Sequence, residues 1–310
     1  MQYRMLGPSG LKVSAVGLGC NNFGMRCDAK QTQAVVDRAI DLGVTLFDTA
    51  DVYSSGQSEQ LLGQALGARR KDVIIATKFG LPMGEGEYSR GGSRRYVRRA
   101  VEASLTRLGT DWIDLYQIHF PDPATPLAET VSVLDDLIRE GKIRYAGCSN
   151  YQAWQLVESL WIAETHHYEP FISAQNHYNL LERAIERELV PAAQAHGIGI
   201  LPYFPLASGL LTGKYERGKA PDKDTRLGGG RDFFKSVLTD ANFDKVERLT
   251  GFAAERDKTL LDLAFGWLLA QPCIASVIAG ATAPAQIEAN VAAGEAWAMT
   301  PEEAQAAGDL

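Results

Sequence analysis

Apolar residues recur along the chain in two alternating rhythms. Short runs rich in Val, Ile, Leu and Tyr, each long enough for one buried strand, stand at 13–18, 45–47, 73–77, 113–118, 145–148, 171–175, 199–203 and 275–279. Between them apolar positions fall at helical spacing. Val97, Val101, Leu105 and Leu108 share one face, as do Val131, Leu134, Leu137 and Ile138. Eight buried strands alternating with amphipathic helices call for a parallel sheet covered by helices, either closed as a barrel or open and doubly wound. Ahead of them, residues 3–19 read as a short hairpin, turned at Gly7-Pro8-Ser9-Gly10, that delivers the chain into the first strand.

No Pro/Gly/Ser-rich linker, low-complexity tract or short repeat interrupts this alternation, so 1–310 is expected to be a single domain. One stretch departs from the spacing. Residues 207–235 are polar, basic and Gly-rich, with Gly228-Gly229-Gly230 inside them, and a loop of that length is usually functional or mobile. It is the candidate ligand-side loop; a plain surface insertion is the alternative.

A chain of 310 residues, 45% apolar and 22% charged, has the composition of a globular protein with a large core, which removes disordered and fibrous classes. The net charge of -7 offers no general attraction to nucleic acid or anionic lipid, so neither is expected as a partner. Cys20, Cys27, Cys148 and Cys273 are scattered, without the spacing a zinc site needs, and are expected to be free thiols with no metal. With no apolar leader or membrane-length run, the expected location is the cytoplasm. Oligomeric state is not readable from these features.

Placed on the strand map, the unusual polar residues collect just past strand C-termini. Asp48, Lys78, His119 and Ser149-Asn150 follow the second to fifth strands; Gln175 and Tyr203 end the sixth and seventh, and Gly280 follows the eighth. In a barrel all these ends lie on one face, where such folds build their sites. Taken singly, each has a plain explanation: an Asp after a strand caps helices, a lone Lys is solvated, a His closing a strand is a bonded core residue. Jointly, titratable residues at successive strand ends point to a site. Tyr53 lies five residues past Asp48, within reach of the same mouth; its plain reading is a packed loop aromatic. A Tyr beside a Lys makes an acid, because the ammonium stabilises phenolate and draws the tyrosine pKa down from about 10, while Asp48 keeps Lys78 charged.

At these residues the chain resembles the aldo-keto reductase superfamily, in its long-loop branch related to potassium-channel beta subunits. The match runs through Val16-Gly17-Leu18-Gly19, Phe47-Asp48-Thr49-Ala50-Asp51-Val52-Tyr53, Ala76-Thr77-Lys78-Phe79-Gly80 and Gln117-Ile118-His119. It continues through Gly141-Lys142-Ile143-Arg144, Gly147-Cys148-Ser149-Asn150, Gln175-Asn176-His177-Tyr178-Asn179, Tyr203-Phe204-Pro205-Leu206 and Gly209-Leu210-Leu211-Thr212-Gly213-Lys214-Tyr215. The resemblance implies an α/β fold, a (β/α)8 TIM barrel whose N-terminal β-hairpin closes the bottom. It implies a tetrad of Asp48, Tyr53, Lys78 and His119, with Tyr53 giving a proton to a carbonyl oxygen as nicotinamide hydride attacks the carbon. The substrate would be a small carbonyl or alcohol.

The same resemblance sets Gly19, Ser149, Asn150 and Gln175 near the nicotinamide carboxamide and Tyr203 on its ring. It sets Leu206, Gly209, Leu211 and Lys214 along the pyrophosphate, and Gly280, Thr282, Gln286 and Asn290 at the adenine end. Two departures stand out. Cys20-Asn21-Asn22 replaces the Thr or Ser that many relatives carry after the entry glycine, and no basic residue lies between Gly280 and Gln286. NADP(H) is nonetheless the expected cofactor, NAD(H) being the alternative, because Arg226 matches a loop arginine that closes over the adenosine phosphate. Gly17-Leu18-Gly19-Cys20-Asn21-Asn22 lacks the third glycine of a Rossmann fingerprint, and Gly147-Cys148-Ser149-Asn150-Tyr151 is no hydrolase elbow. The remaining rival is a cofactor-binding regulatory subunit with little turnover. Phe23, Met25, Tyr88 and Phe120 are candidate apolar lining of the pocket.

Overall fold

In a computed structural model, residues 1–86, 88–223, 225–229 and 236–310 are described. The chain opens with a hairpin, β1 (Tyr3–Met5) and β2 (Lys12–Ser14), paired antiparallel. Eight parallel strands follow: β3 (Val16–Gly19), β4 (Leu46–Asp48), β5 (Ile74–Phe79), β6 (Ile113–Ile118), β7 (Ile143–Ser149), β8 (Phe171–His177), β9 (Gly199–Tyr203) and β10 (Val277–Gly280). Their order is β10-β3-β4-β5-β6-β7-β8-β9. The ring closes just ahead of β10, where the Ile200 amide donates to the Cys273 carbonyl at 2.7 Å and the Ala275 amide to the Ile200 carbonyl at 3.2 Å. This is the expected (β/α)8 TIM barrel.

Helices among the described residues cover the outside. They are α1 (Ala29–Asp41), α2 (Gln57–Leu66), α3 (Arg94–Leu108), α4 (Leu127–Arg139), α5 (Ala153–His166), α6 (Leu189–His196), α7 (Asp240–Ala254), α8 (Leu260–Ala270), α9 (Pro284–Ala296) and α10 (Pro301–Gly308). The faces expected on α3 and α4 are the ones turned inward. Val97, Val101, Leu108, Val131, Leu134 and Leu137 are buried against the barrel, with Leu105 and Ile138 half-buried beside them. Ser93 caps α3 by accepting the Tyr96 amide, and Gly109, left-handed at φ 64°, ends it.

Two apolar layers hold the barrel. The larger lies between strands and helices; the smaller, inside the ring, joins Leu6 and Val13 of the hairpin region to Leu46, Ala76, Leu115, Ile172, Leu201, Ala275 and Ile278. The hairpin therefore closes the bottom, and each fully buried aliphatic side chain there contributes about 1.5–3 kcal/mol relative to an exposed one. Polar side chains are left to the opposite, C-terminal rim.

Six of the eight expected strands differ from the observed ones by one to three residues at an end, and two of these differences have a clear structural cause. The expected strand at 13–18 is broken at Ala15, since Val13 belongs to the hairpin while Ser14 Oγ takes the Thr45 amide at 3.0 Å and anchors the bend. The expected strand at 275–279 starts instead at Val277, because Ala275 is spent on closing the ring against β9. The 207–235 loop opens with a helical turn, Ala207–Thr212; Gly230 and residues 231–235 lie outside the described residues.

Candidate active site

Parallel register sets the C-terminal rim. Gly19 pairs with Asp48 across β3 and β4, Lys78 with Gln117, Ser149 with Gln175, His177 with Tyr203, and Gly280 returns to Gly19. Residues far apart in sequence thus end at one level. The buried Lys78 ammonium donates to Asp48 Oδ2 at 2.7 Å and to the Thr49 carbonyl at 2.8 Å. Gln175 Nε2 donates to the other Asp48 oxygen at 2.8 Å. Ser149 Oγ donates to the Gln175 carbonyl at 2.9 Å, Asn150 Nδ2 to the His119 carbonyl at 2.9 Å, and the Tyr203 hydroxyl to Asn150 Oδ1 at 2.7 Å. Asp48, Lys78, Gln175, Ser149, Asn150, His119 and Tyr203 are therefore one connected network.

Tyr53 reaches this network from the turn after β4. Lys78 Nζ lies 5.2 Å from the centre of its ring, while His119 meets the ring edge-on at 5.8 Å. Burial lowers the Lys78 pKa, yet Asp48 and Tyr53 outweigh it and hold the ammonium above its ordinary value. For Tyr53 the balance runs against the sequence expectation. Burial of the phenol raises its pKa above the ordinary 10, and Lys78, which pulls downward, does not fully offset burial and Asp48. The phenol therefore holds its proton at neutral pH. Burial first, and Lys78 second, push His119 down to about 3, so its imidazole is neutral, and its buried Nδ1 has no hydrogen-bond partner among the described residues.

The other expected residues fall at 206–214, at Arg226 and at 280–290. At Leu206–Gly213 the backbone turns through left-handed Ala207 (φ 46°), Ser208 (φ 58°) and Gly209 (φ 98°), and a Cβ on Gly209 would come 3.1 Å from Lys214 Cε. Leu211 is buried beneath the turn. Arg226 donates to Asn21 Oδ1 at 3.2 Å and Asn22 Oδ1 at 3.4 Å, and a Cβ on Gly280 would lie 3.2 Å from Asn22 Nδ2. Thr282 donates through amide and hydroxyl to Gln286 Oε1 at 2.7 and 3.1 Å, and Asn290 is buried one turn along α9.

Of the candidate lining residues, Phe23 is fully buried in the core, whereas Met25, Tyr88 and Phe120 are exposed, Phe120 stacked on His119 at 5.5 Å. Sequence reasoning passed over the Asn21-Asn22 pair as a departure; two amides after a strand-end glycine were the available signal. It also missed Asp51, in the turn, and Glu59 and Arg107, buried or half-buried on helices behind Tyr53, because a buried charge in a turn or on the inner face of a helix leaves no local pattern.

Residues 15–308 match the model of the aldo/keto reductase family. The chain belongs to that family. It is 38% identical to a probable voltage-gated potassium channel subunit beta of Arabidopsis thaliana, over 94% of this chain and 91% of the relative. It is 36% identical to an L-glyceraldehyde 3-phosphate reductase of Escherichia coli K12, over 94% and 87%, and 35% identical to an aldo-keto reductase of Bacillus subtilis, over 93% and 87%. This aldo/keto reductase family member is thus an oxidoreductase, of a family that generally works with nicotinamide cofactors on small carbonyl compounds. Among the described residues no helix is long and apolar enough to cross a membrane.

Proposed function

We propose that this oxidoreductase interconverts an aldehyde or ketone and its alcohol, with Tyr53 as general acid and base and NADP(H) as cofactor. One observation carries the reading: a buried ammonium, Lys78, bonds Asp48 and lies 5.2 Å from the centre of the Tyr53 ring, beside a neutral imidazole. When bound, the reduced nicotinamide supplies hydride to the carbonyl carbon. Tyr53, resting protonated, gives its proton to the carbonyl oxygen, and Lys78 stabilises the phenolate left behind. Asp48 keeps Lys78 charged. Neutral His119 orients the carbonyl oxygen without competing for the proton. Tyr53 is reprotonated from solvent, and the reverse sequence oxidises the alcohol.

The residues present suit a dinucleotide. The open side of Gly209, which a Cβ would fill against Lys214, is a cradle for pyrophosphate, with left-handed backbone amides around it. His177 covers one face of Tyr203 at 5.3 Å, and Tyr203 would hold the nicotinamide ring, with Gly19, Ser149, Asn150 and Gln175 for its carboxamide. Leu206 and Leu211 would hold the pyrophosphate, and Gly280, Thr282, Gln286 and Asn290 the adenine end. Arg226 is the cation for the 2′-phosphate, which favours NADP(H) over NAD(H).

In this reading 1–310 acts as one unit in the reducing cytoplasm, in keeping with its four free cysteines, and neither nucleic acid nor membrane is a partner. The test is nicotinamide absorbance during steady-state turnover against a panel of aldehydes, ketones and alcohols, including glyceraldehyde. Turnover abolished by Tyr53→Phe supports the reading; no turnover with any of them counts against it. A second reading, a cofactor-binding regulatory subunit, is favoured by the similarity to a probable channel subunit beta. It predicts cofactor binding with negligible turnover and a partner recovered by pull-down.

A further inference from the structure

Behind Tyr53 lies a second buried ionic cluster that the proposed chemistry does not use. Glu59 on α2 is fully buried; its Oε1 accepts the Thr77 hydroxyl at 2.6 Å and its Oε2 accepts Arg107 Nε, from α3, at 2.7 Å. Thr77 precedes Lys78 on β5, and α2 starts where the Tyr53 turn ends. One carboxylate therefore ties together the strand bearing Lys78, the turn bearing Tyr53 and α3.

That turn needs holding. Ser54 (φ 49°), Ser55 (φ 54°) and Gly56 (φ 92°) are left-handed in succession, a backbone that persists only where its surroundings over-determine it. Arg107 is the support beneath it: a Cβ on Gly56 would come 2.7 Å from Arg107 Cδ and 3.0 Å from its Nε. Arg107 is fixed in turn by Glu59 and by Ser104 Oγ at 3.1 Å. Asp51, buried two residues before Tyr53, faces the same cluster. Its Oδ2 takes the Tyr96 hydroxyl at 3.5 Å, its Oδ1 has no hydrogen-bond partner among the described residues, and Glu59, Arg107, Tyr96 and Tyr116 are the titratable groups around it.

We propose that Glu59 and Arg107 are positioning residues that hold the left-handed turn at Ser54, Ser55 and Gly56 and thereby aim the Tyr53 hydroxyl at Lys78. The inference rests on the role given to Tyr53 above. A merely structural ion pair would affect stability and leave the chemistry of the folded protein unchanged. A positioning pair leaves cofactor and substrate binding in place and lowers the chemical step. It also leaves a pH signature. Burial and Glu59 raise Asp51 to about 7 while Arg107 opposes them, so removing Arg107 moves that ionisation upward.

The test compares full-length wild type, Arg107→Met, Arg107→Lys and Tyr53→Phe, with NADPH and glyceraldehyde as probes. For folded Arg107→Met we expect KM and NADPH affinity within a few-fold of wild type and kcat lower by roughly 10- to 100-fold, as for a small misplacement of a reacting group. The pH–rate limb near 7 shifts upward, and Arg107→Lys recovers most of kcat. If Arg107→Met does not fold, Glu59→Gln, which keeps the shape and loses the charge pair, carries the same kcat expectation. A folded variant with kcat within two-fold of wild type and an unmoved pH profile overturns the inference. Should Tyr53→Phe itself retain turnover, the reading of Tyr53 falls and the positioning role falls with it; an inactive Tyr53→Phe beside an unimpaired Arg107→Met overturns the positioning role alone.

Discussion

Lys78 Nζ lies 2.7 Å from Asp48 Oδ2, and both side chains are enclosed by the barrel, at 0% and 5% exposure. A buried charge without its partner typically costs about 3–5 kcal/mol, so the pair is as much a constraint on the fold as on the chemistry. Lys78→Met removes the group that pulls the Tyr53 pKa down most and strands Asp48 with Gln175 as its remaining side-chain partner. We predict a destabilised enzyme whose turnover at neutral pH falls by about 100-fold or more, with its pH–rate profile displaced toward alkaline pH. A wild-type profile with a small drop in rate contradicts the coupling.

Asp51 predicts a pH dependence of stability. Its folded pKa of about 7 stands above the unfolded value of about 3.9, so between these the folded state holds a proton the unfolded chain has released, and stability falls as pH rises. His119, at about 3 against about 6.5 unfolded, works the other way, and stability rises with pH over that window. Asp51→Asn removes only the falling contribution. Relative to wild type, the variant gains stability between pH 4 and 7, at up to about 1.4 kcal/mol per pH unit. Urea unfolding at pH 4.5 and 7.5 measures this; an unchanged difference between the two proteins contradicts it.

Much of this was legible in the sequence because a barrel writes its topology in period. The eight runs at 13–18 through 275–279 each contain or overlap an observed strand, and Asp48, Lys78, His119, Ser149, Gln175 and Tyr203 were found at one rim because parallel strands end together. What periodicity cannot carry is a balance of opposed terms. Tyr53 was expected to have a lowered pKa from its Lys neighbour; the desolvation that reverses the sign depends on how far the turn tucks the phenol under the mouth. The break at Ala15 was hidden inside one apolar run, and Glu59 and Arg107 meet only after α2 and α3 have packed.

Arg226 supports a cofactor prediction. An arginine fork on a phosphate dianion is worth roughly 1.5–3 kcal/mol, or about ten- to a hundred-fold in affinity. We predict that wild type binds NADPH more tightly than NADH by that order and that Arg226→Ala loses most of the ratio, with NADH affinity changed little. Fluorescence titration of both cofactors into both proteins measures it. Equal affinities in wild type, or an unchanged ratio in the variant, contradict the assignment.

The central claim is that Tyr53 supplies the proton, and the most direct measurement is a single turnover of Tyr53→Phe loaded with NADPH and mixed with a carbonyl substrate of the wild-type enzyme. Phenylalanine keeps the ring packed against His119 and beside Lys78 and removes only the hydroxyl. The account predicts NADPH affinity within a few-fold of wild type and a hydride-transfer rate lower by about 100-fold or more. A variant that binds NADPH normally and retains half the wild-type rate would contradict it.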